Sequence, residues 1–157
     1  MLRNLITGMS GTGKSSVLAG LAQRGYDVVD TDYGDWCEWS EDDEDNMIWR
    51  EDRISTLLSE YQGTGLFVQG RVSNQGKFYD SFDEVVLLSA PVDTLLKRIS
   101  TRTTNTFGKK PGERDRILTD LIAVEPLLRA SATLEIDTRI PLPQVVGAVV
   151  GLTQLAR

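Results

Sequence analysis

Eight residues near the N-terminus, Gly8-Met9-Ser10-Gly11-Thr12-Gly13-Lys14-Ser15, carry the spacing Gly-x-x-x-x-Gly-Lys-Ser, which is chemistry for holding phosphate. Glycines let the backbone turn tightly enough for successive N–H groups to face inward, and a helix that begins at the lysine adds partial positive charge. Gly8, Ser10, Gly11, Thr12, Gly13 and Ser16 are therefore expected around the phosphates of ATP or ADP. Lys14 is expected to reach the β- and γ-phosphates, and the Ser15 hydroxyl to ligate Mg2+.

A second signal is Val28-Val29-Asp30-Thr31-Asp32, a strand-like run that ends in carboxylates. The chain has no histidine, so a general base has to be a carboxylate, lysine, tyrosine, cysteine or water. Asp30 and Asp32 alternate with Thr31, so on a continuing strand both point to one side. A parallel sheet delivers the C-terminal ends of its strands to the ligand edge. Asp30 is then expected beside Ser15 and its Mg2+, with Asp32 one step further, next to an acceptor hydroxyl. The competing reading is that the two aspartates only cap the loop that follows.

Charge is unevenly distributed. Residues 26–52 hold twelve of the 23 acids and a single base, Arg50, whereas residues 97–116 hold seven bases and two acids. A net charge of −6 argues against an extended nucleic-acid footprint, which needs a basic face. The run Glu41-Asp42-Asp43-Glu44-Asp45 reads as a solvated stretch near a helix start, or as part of a negative acceptor side that would favour a neutral polyol or an amine. Trp36, Trp39 and Trp49 in the same region could wall an acceptor pocket or pack as ordinary core. No apolar stretch approaches the roughly 20 residues that span a bilayer, the N-terminus lacks the features of a signal peptide, and the single cysteine, Cys37, has no internal disulfide partner. These features imply no membrane association and a cytoplasmic location.

The elements that must position these residues follow from periodicity. Leu2–Thr7 is an apolar run before the glycine loop, and Val17, Leu18, Leu21 and Ala22 recur at helical spacing up to Gly25. Further strands are expected at Tyr26–Thr31, Leu66–Gly70, Glu84–Ser89 and Thr133–Asp137. Helices are expected around Ile54–Tyr61, from Pro91 through Ile99, from Ile117 onward with a kink or break at Pro126, and over Val145–Val150, entered through Pro141 and Pro143. Residues 103–112 have loop composition. Short strands alternating with helices predict an α/β fold, a five-stranded parallel sheet with helices on both faces, in one domain spanning 1–157.

The chain lacks the Asp-x-x-Gly switch and Asn-Lys-x-Asp reader of a switch GTPase. It also lacks the acid-terminated hydrophobic strand of motor and transporter ATPases, since the third strand ends Gln69-Gly70 and the fourth ends at Ser89. With the phosphate loop, Asp30-Thr31-Asp32, Arg50, Gly70, Arg98, Arg102 and Ile136-Asp137-Thr138, it resembles the shikimate kinase-like and gluconate kinase-like small P-loop kinases, relatives of the nucleoside monophosphate kinases. The resemblance implies a P-loop NTPase fold of the small-molecule kinase type, Mg2+-dependent use of ATP, and a small-molecule acceptor held in a segment of about 32–62 by Asp32, Arg50 and Gly70. It also implies a lid at about 100–116 whose Arg102 is catalytic with Lys14 and Asp32, while Arg98 and Thr138 contact the nucleotide. Lys109, Lys110, Arg114 and Arg116 flank that lid, or form a solvated basic face.

Shikimate itself is not the expected acceptor. The family's Gly-Gly-Gly after the third strand is replaced by Gly70-Arg71-Val72, and Glu125 stands about where the family has a carboxylate-binding arginine. A nucleoside or nucleotide kinase, and a nucleotide-binding regulatory module or slow ATPase without a true acceptor, are the alternatives.

Overall fold

Five of the strands line up as one parallel sheet in the computed structural model, which describes residues 2–42, 46–102 and 109–155. In chain order the elements are β1 (Leu2–Thr7), α1 (Lys14–Gln23), β2 (Asp27–Asp30), β3 (Cys37–Trp39), β4 (Met47–Trp49), α2 (Glu51–Glu60), β5 (Gly65–Gln69), β6 (Glu84–Ser89), α3 (Val92–Thr101), α4 (Pro111–Ser131), β7 (Leu134–Asp137) and α5 (Leu142–Leu155), with a 3-10 helix over Gln75–Ser81. The strand order is β2-β5-β1-β6-β7. β5 and β6 are apolar through their middles, at Leu66–Val68 and Val85–Leu88, because strands covered on both faces have no solvent side to which a polar residue could turn.

Alternation along these strands sorts the core into two layers. Ile6, Phe67, Val86 and Leu88 face α1 and α5 and pack with Val17, Leu21, Val145 and Val149. Leu5, Leu66, Val68 and Val85 face the other way and pack with Ile54 and Leu58 of α2 and with Trp49, Phe78 and Phe82. Helices on both faces follow directly from that two-sided pattern.

The structure departs from the sequence-based expectation in three places. Cys37–Trp39 and Met47–Trp49 form an antiparallel hairpin, with Cys37 opposite Trp49; at three residues each, these strands are too short to show a period. α4 begins at Pro111, inside the stretch read as loop, because proline at a first helical position has no N–H to leave unpaired. It then runs undivided through Pro126 to Ser131.

α4 is tied to the sheet by an ionic cluster. Arg129 bonds Glu125 at 2.8 Å and Glu135 of β7 at 2.9 Å, and Glu135 also accepts from the Ser89 hydroxyl at 2.8 Å. The Arg129 and Ser89 bonds hold the Glu135 carboxyl below its usual pKa. A carboxylate whose pKa is depressed by folding stabilises the fold above its unfolded pKa and loses that contribution as pH falls through the folded value. Because the pair is partly exposed, the contribution is expected to be at most about 1 kcal/mol. Glu135→Gln should therefore lower the unfolding free energy at pH 7 by up to that amount, and the difference from wild type should shrink as urea titrations are repeated at progressively more acidic pH. A difference that stays constant down to pH 3 would mean the ion pair is not its source.

Candidate active site

The loop between β1 and α1 is built for close approach. Gly13 caps α1 with φ of 94°, in the left-handed region that disfavours a side chain. Thr12 is buried and bonds back to the Met9 carbonyl through both its hydroxyl, at 2.8 Å, and its N–H. The Lys14 ammonium folds over the loop and donates to the Gly8 carbonyl at 2.8 Å and the Met9 carbonyl at 3.1 Å. Burial, and next the positive charge of Arg71, push its pKa down to about 8, with Arg102 adding to the fall and Asp32 and Asp30 opposing it. A lysine beside other cations at the first turn of a helix is a site for an anion.

At the end of β2 the two aspartates stand in different surroundings. The Ser15 hydroxyl donates to Asp30 Oδ2 at 2.9 Å, so the pair stands together at the first turn of α1. Asp32 lies just beyond the strand, with its N–H bonded to Asp30 Oδ1 at 3.1 Å. Gln69, fully buried at the end of β5, joins them: its side-chain amide donates to Asp30 Oδ1 and, at 3.0 Å, to Asp32 Oδ2. Register explains this, since Gln69 is paired with Ile6 on one side and Asp30 on the other. In the sequence Gln69 registered only as a missing acid; its bridging role comes from strand order.

Two cavities open on either side of this centre. One of about 250 Å³ is lined by Thr12, Gly13, Ser16, Arg98, Thr138 and the apolar side chains of Val17, Ile140, Leu142 and Val145. Arg98 is fixed at its edge by bonds to the Gly11 carbonyl and to the Thr138 hydroxyl and carbonyl, the last two at 2.8 and 2.6 Å. An apolar slot that adjoins a phosphate loop fits a nucleoside. The other cavity, about 640 Å³, is bordered by Asp32, Thr31 and Cys37, by Trp39 and Met47 of the hairpin, by Arg71 to Ser73, and by Arg116, Asp120, Val124 and Leu128 of α4. Those last four recur every fourth residue, so one face of α4 closes it.

Mg2+ takes hard oxygen ligands and keeps several waters. Among the described residues no group of three or more histidine, cysteine or acidic side chains gathers as a metal site. Ser15 beside Asp30 suits an ion whose remaining ligands are phosphate oxygens and water.

Other residues singled out in the sequence stand elsewhere. Arg50 is held by Asp35 at 3.3 Å and Glu38 at 3.1 Å and does not line the larger cavity. Gly70 is close-packed against Trp49 and Thr31, where a Cβ would meet the Thr31 hydroxyl at 2.6 Å. Trp49 is core: fully buried, it donates its indole N–H to Thr31 at 2.9 Å and packs on Phe78 and Phe82. Trp36 lies under the Arg53 guanidinium, 4.2 Å from its ring centre, in a separate surface depression; Trp39 alone of the three reaches the larger cavity. Glu125 bonds Arg129 and is not among the cavity's lining side chains, so it gives no argument about the charge of a ligand there. Arg102 closes α3, within electrostatic reach of Lys14. Residues 103–108 of the expected lid, and residues 43–45 of the acidic run, lie outside the described residues.

Residues 5–119 match the family described as AAA domain. Among solved structures, the chain is similar to shikimate kinase from Acinetobacter baumannii in complex with shikimate (TM-score 0.68, 19% identity, 100% of this chain and 96% of that one). It is also similar to shikimate kinase from Bacteroides thetaiotaomicron (TM-score 0.69, 18% identity, 98% of each chain) and to a gluconokinase from Sinorhizobium meliloti 1021 (TM-score 0.66, 22% identity, 99% and 93%). At these identities the likeness is one of fold. A search of curated proteins found no match. No helix among the described residues is long and apolar enough to cross a membrane.

Proposed function

The chain belongs to the AAA domain family that its residues 5–119 match, and from that premise we propose that it is an ATP-dependent phosphotransferase acting on a hydroxyl group of a small molecule. The observation that carries this reading is the placement of Asp32. It borders the larger cavity, and through Gln69 it is bound to the same amide as Asp30, which holds Ser15 at the phosphate loop. A hydrolase would need only water at that place; a walled cavity of about 640 Å³ is room for an acceptor. Similarity of fold to shikimate kinase and gluconokinase supports the same reading.

In this reading nucleotide lies on Gly8–Ser16 with its base in the slot beside Arg98 and Thr138, and Ser15 and Asp30 serve Mg2+, which neutralises phosphate charge when bound. Asp32 orients the acceptor hydroxyl, and Lys14 and Arg102 face the transferring group. The acceptor is not shikimate, because Arg71 and Val72 replace the glycines that the resemblance requires after the third strand.

Two measurements test this together. Calorimetry with Mg2+ should show ADP and ATP binding at millimolar concentration or below. ADP release should stay at a background rate in water alone and rise with a member of a panel of hydroxylated metabolites, with shikimate giving a kcat/KM below about 10⁴ M⁻¹s⁻¹, the lower end of the usual enzymatic range. Absence of nucleotide binding sinks the proposal. A rate that no panel member raises points instead to the regulatory module or slow ATPase.

A further inference from the structure

We propose that Arg71 is a catalytic residue whose guanidinium meets the transferring γ-phosphoryl group from the acceptor side, opposite Lys14. The inference rests on the phosphotransferase reading above and adds to it a cation carried by the sheet edge rather than by the lid.

The backbone that bears Arg71 is fixed on both sides. Before it, the Gly70 N–H donates to the Ile6 carbonyl at 3.1 Å, and Gly70 itself is wedged against Thr31 and Trp49. After it, the Val72 N–H donates to the Gln75 side-chain oxygen at 3.0 Å. Gln75 is buried and reaches on to Thr7 of β1. Asn74 is clamped to the backbone of Trp49 by bonds of 2.9 and 3.0 Å. A side chain borne on such a segment starts from a defined place, which a catalytic group needs.

The side chain, by contrast, is uncommitted. Among the described residues Arg71 makes no hydrogen bond and no ion pair, whereas Arg50 is taken by Asp35 and Glu38, Arg98 by Thr138 and Arg129 by Glu125 and Glu135. Arg71 is half-buried and lines the same cavity as Asp32. Its segment is bonded to the end of β1 directly before the phosphate loop, Gly70 to Ile6 and Gln75 to Thr7. An uncommitted guanidinium in that wall, with Asp30 and Asp32 already bonded to Ser15 and Gln69, leaves a place where an anion would find a partner. Lys14 comes to that place from the phosphate loop, and Arg71 from the wall that Asp32 shares.

In the transfer the acceptor oxygen bonds to the γ-phosphorus as the bond from that phosphorus to the β–γ bridging oxygen breaks. The electron pair leaves with ADP, and the hydroxyl proton passes to Asp32. Charge spreads over the equatorial oxygens of the moving group, where a fixed guanidinium stabilises it.

Calorimetric titration with Mg2+ and either ADP or a non-hydrolysable ATP analogue tests this without knowledge of the acceptor. Arg71→Gln is expected to weaken the analogue about tenfold or more, the scale of losing one charge-assisted contact, and to leave ADP within about twofold. Arg71→Lys, which keeps the charge, should recover most of the loss. Equal analogue affinity in Arg71→Gln and wild type overturns the assignment and leaves the phosphotransferase reading standing; so does an equal loss for both nucleotides, which would mark a structural role. Failure of the wild type to bind either nucleotide overturns both.

Discussion

Lys14→Ala is expected to lower phosphoryl transfer by at least about 10³-fold, the scale of removing a cation from the transferring phosphoryl group, while leaving the fold intact. The two halves of this result have different causes. Activity depends on Lys14 because its ammonium lies over the loop within reach of whatever phosphate the loop holds, 2.8 Å from the Gly8 carbonyl. Stability depends on it little. Its pKa is pushed down to about 8, first by burial and then by Arg71, so at neutral pH the fold holds a charge that its surroundings disfavour. A folded pKa below the unfolded value means that the unfolded chain binds the proton more tightly. The lysine charge therefore costs stability below about pH 8, and that cost fades as pH rises. The alanine variant loses two hydrogen bonds to carbonyls and also sheds this cost, and the opposed changes should leave its thermal midpoint within a few degrees of wild type. Loss of turnover together with a large fall in the midpoint would show that the lysine holds the loop together rather than the phosphate. Unchanged turnover would remove Lys14 from the chemistry.

What the sequence shows of this molecule depends on whether the signal is local. The parallel sheet was legible because its strands are four to six residues built around Leu, Ile, Val and Phe, beside helices of the right period, and β5 and β6 needed no alternation to be recognised. The phosphate loop was legible because its mechanics lie within eight consecutive residues. Other features depend on residues distant in sequence. Gln69 and Asp30 meet because β2 is placed next to β5 and not next to β1, an order that no spacing encodes. Arg71 is uncommitted because none of the described residues around its fixed backbone pairs with it. Trp49 is core rather than pocket wall because the hairpin turns it inward onto Phe78 and Phe82, and the hairpin's strands are too short to carry a period. Glu125 misled for a related reason. Its neighbour Val124, with Asp120 and Leu128, is on the cavity face of α4, while Glu125 lies one step around the helix with Arg129, and a helix that runs through Pro126 keeps that phase intact.

Asp32→Asn is expected to reduce kcat with the true acceptor by about 10²–10⁴-fold, the usual worth of a general base, with little change in nucleotide affinity. The substitution is isosteric, and an asparagine carbonyl can still accept the bond that Gln69 now gives to Asp32 at 3.0 Å, so the wall of the cavity should keep its shape. What is lost is the negative charge and the place for the acceptor's proton. A loose, largely dissociative transfer asks little of a base before the phosphorus–oxygen bond is well formed, so an effect near 10² would mean that Asp32 mainly orients the hydroxyl, and one near 10⁴ that it takes the proton as well. Asp30→Asn is the internal contrast. Asp30 bonds the Ser15 hydroxyl at 2.9 Å rather than bordering the larger cavity, and its loss should appear chiefly as weaker Mg2+-dependent nucleotide binding. If Asp32→Asn instead weakened nucleotide binding and Asp30→Asn lowered kcat alone, the roles of the two aspartates would be reversed; if Asp32→Asn kept nearly full kcat, Asp32 would be only the cap of the turn after β2.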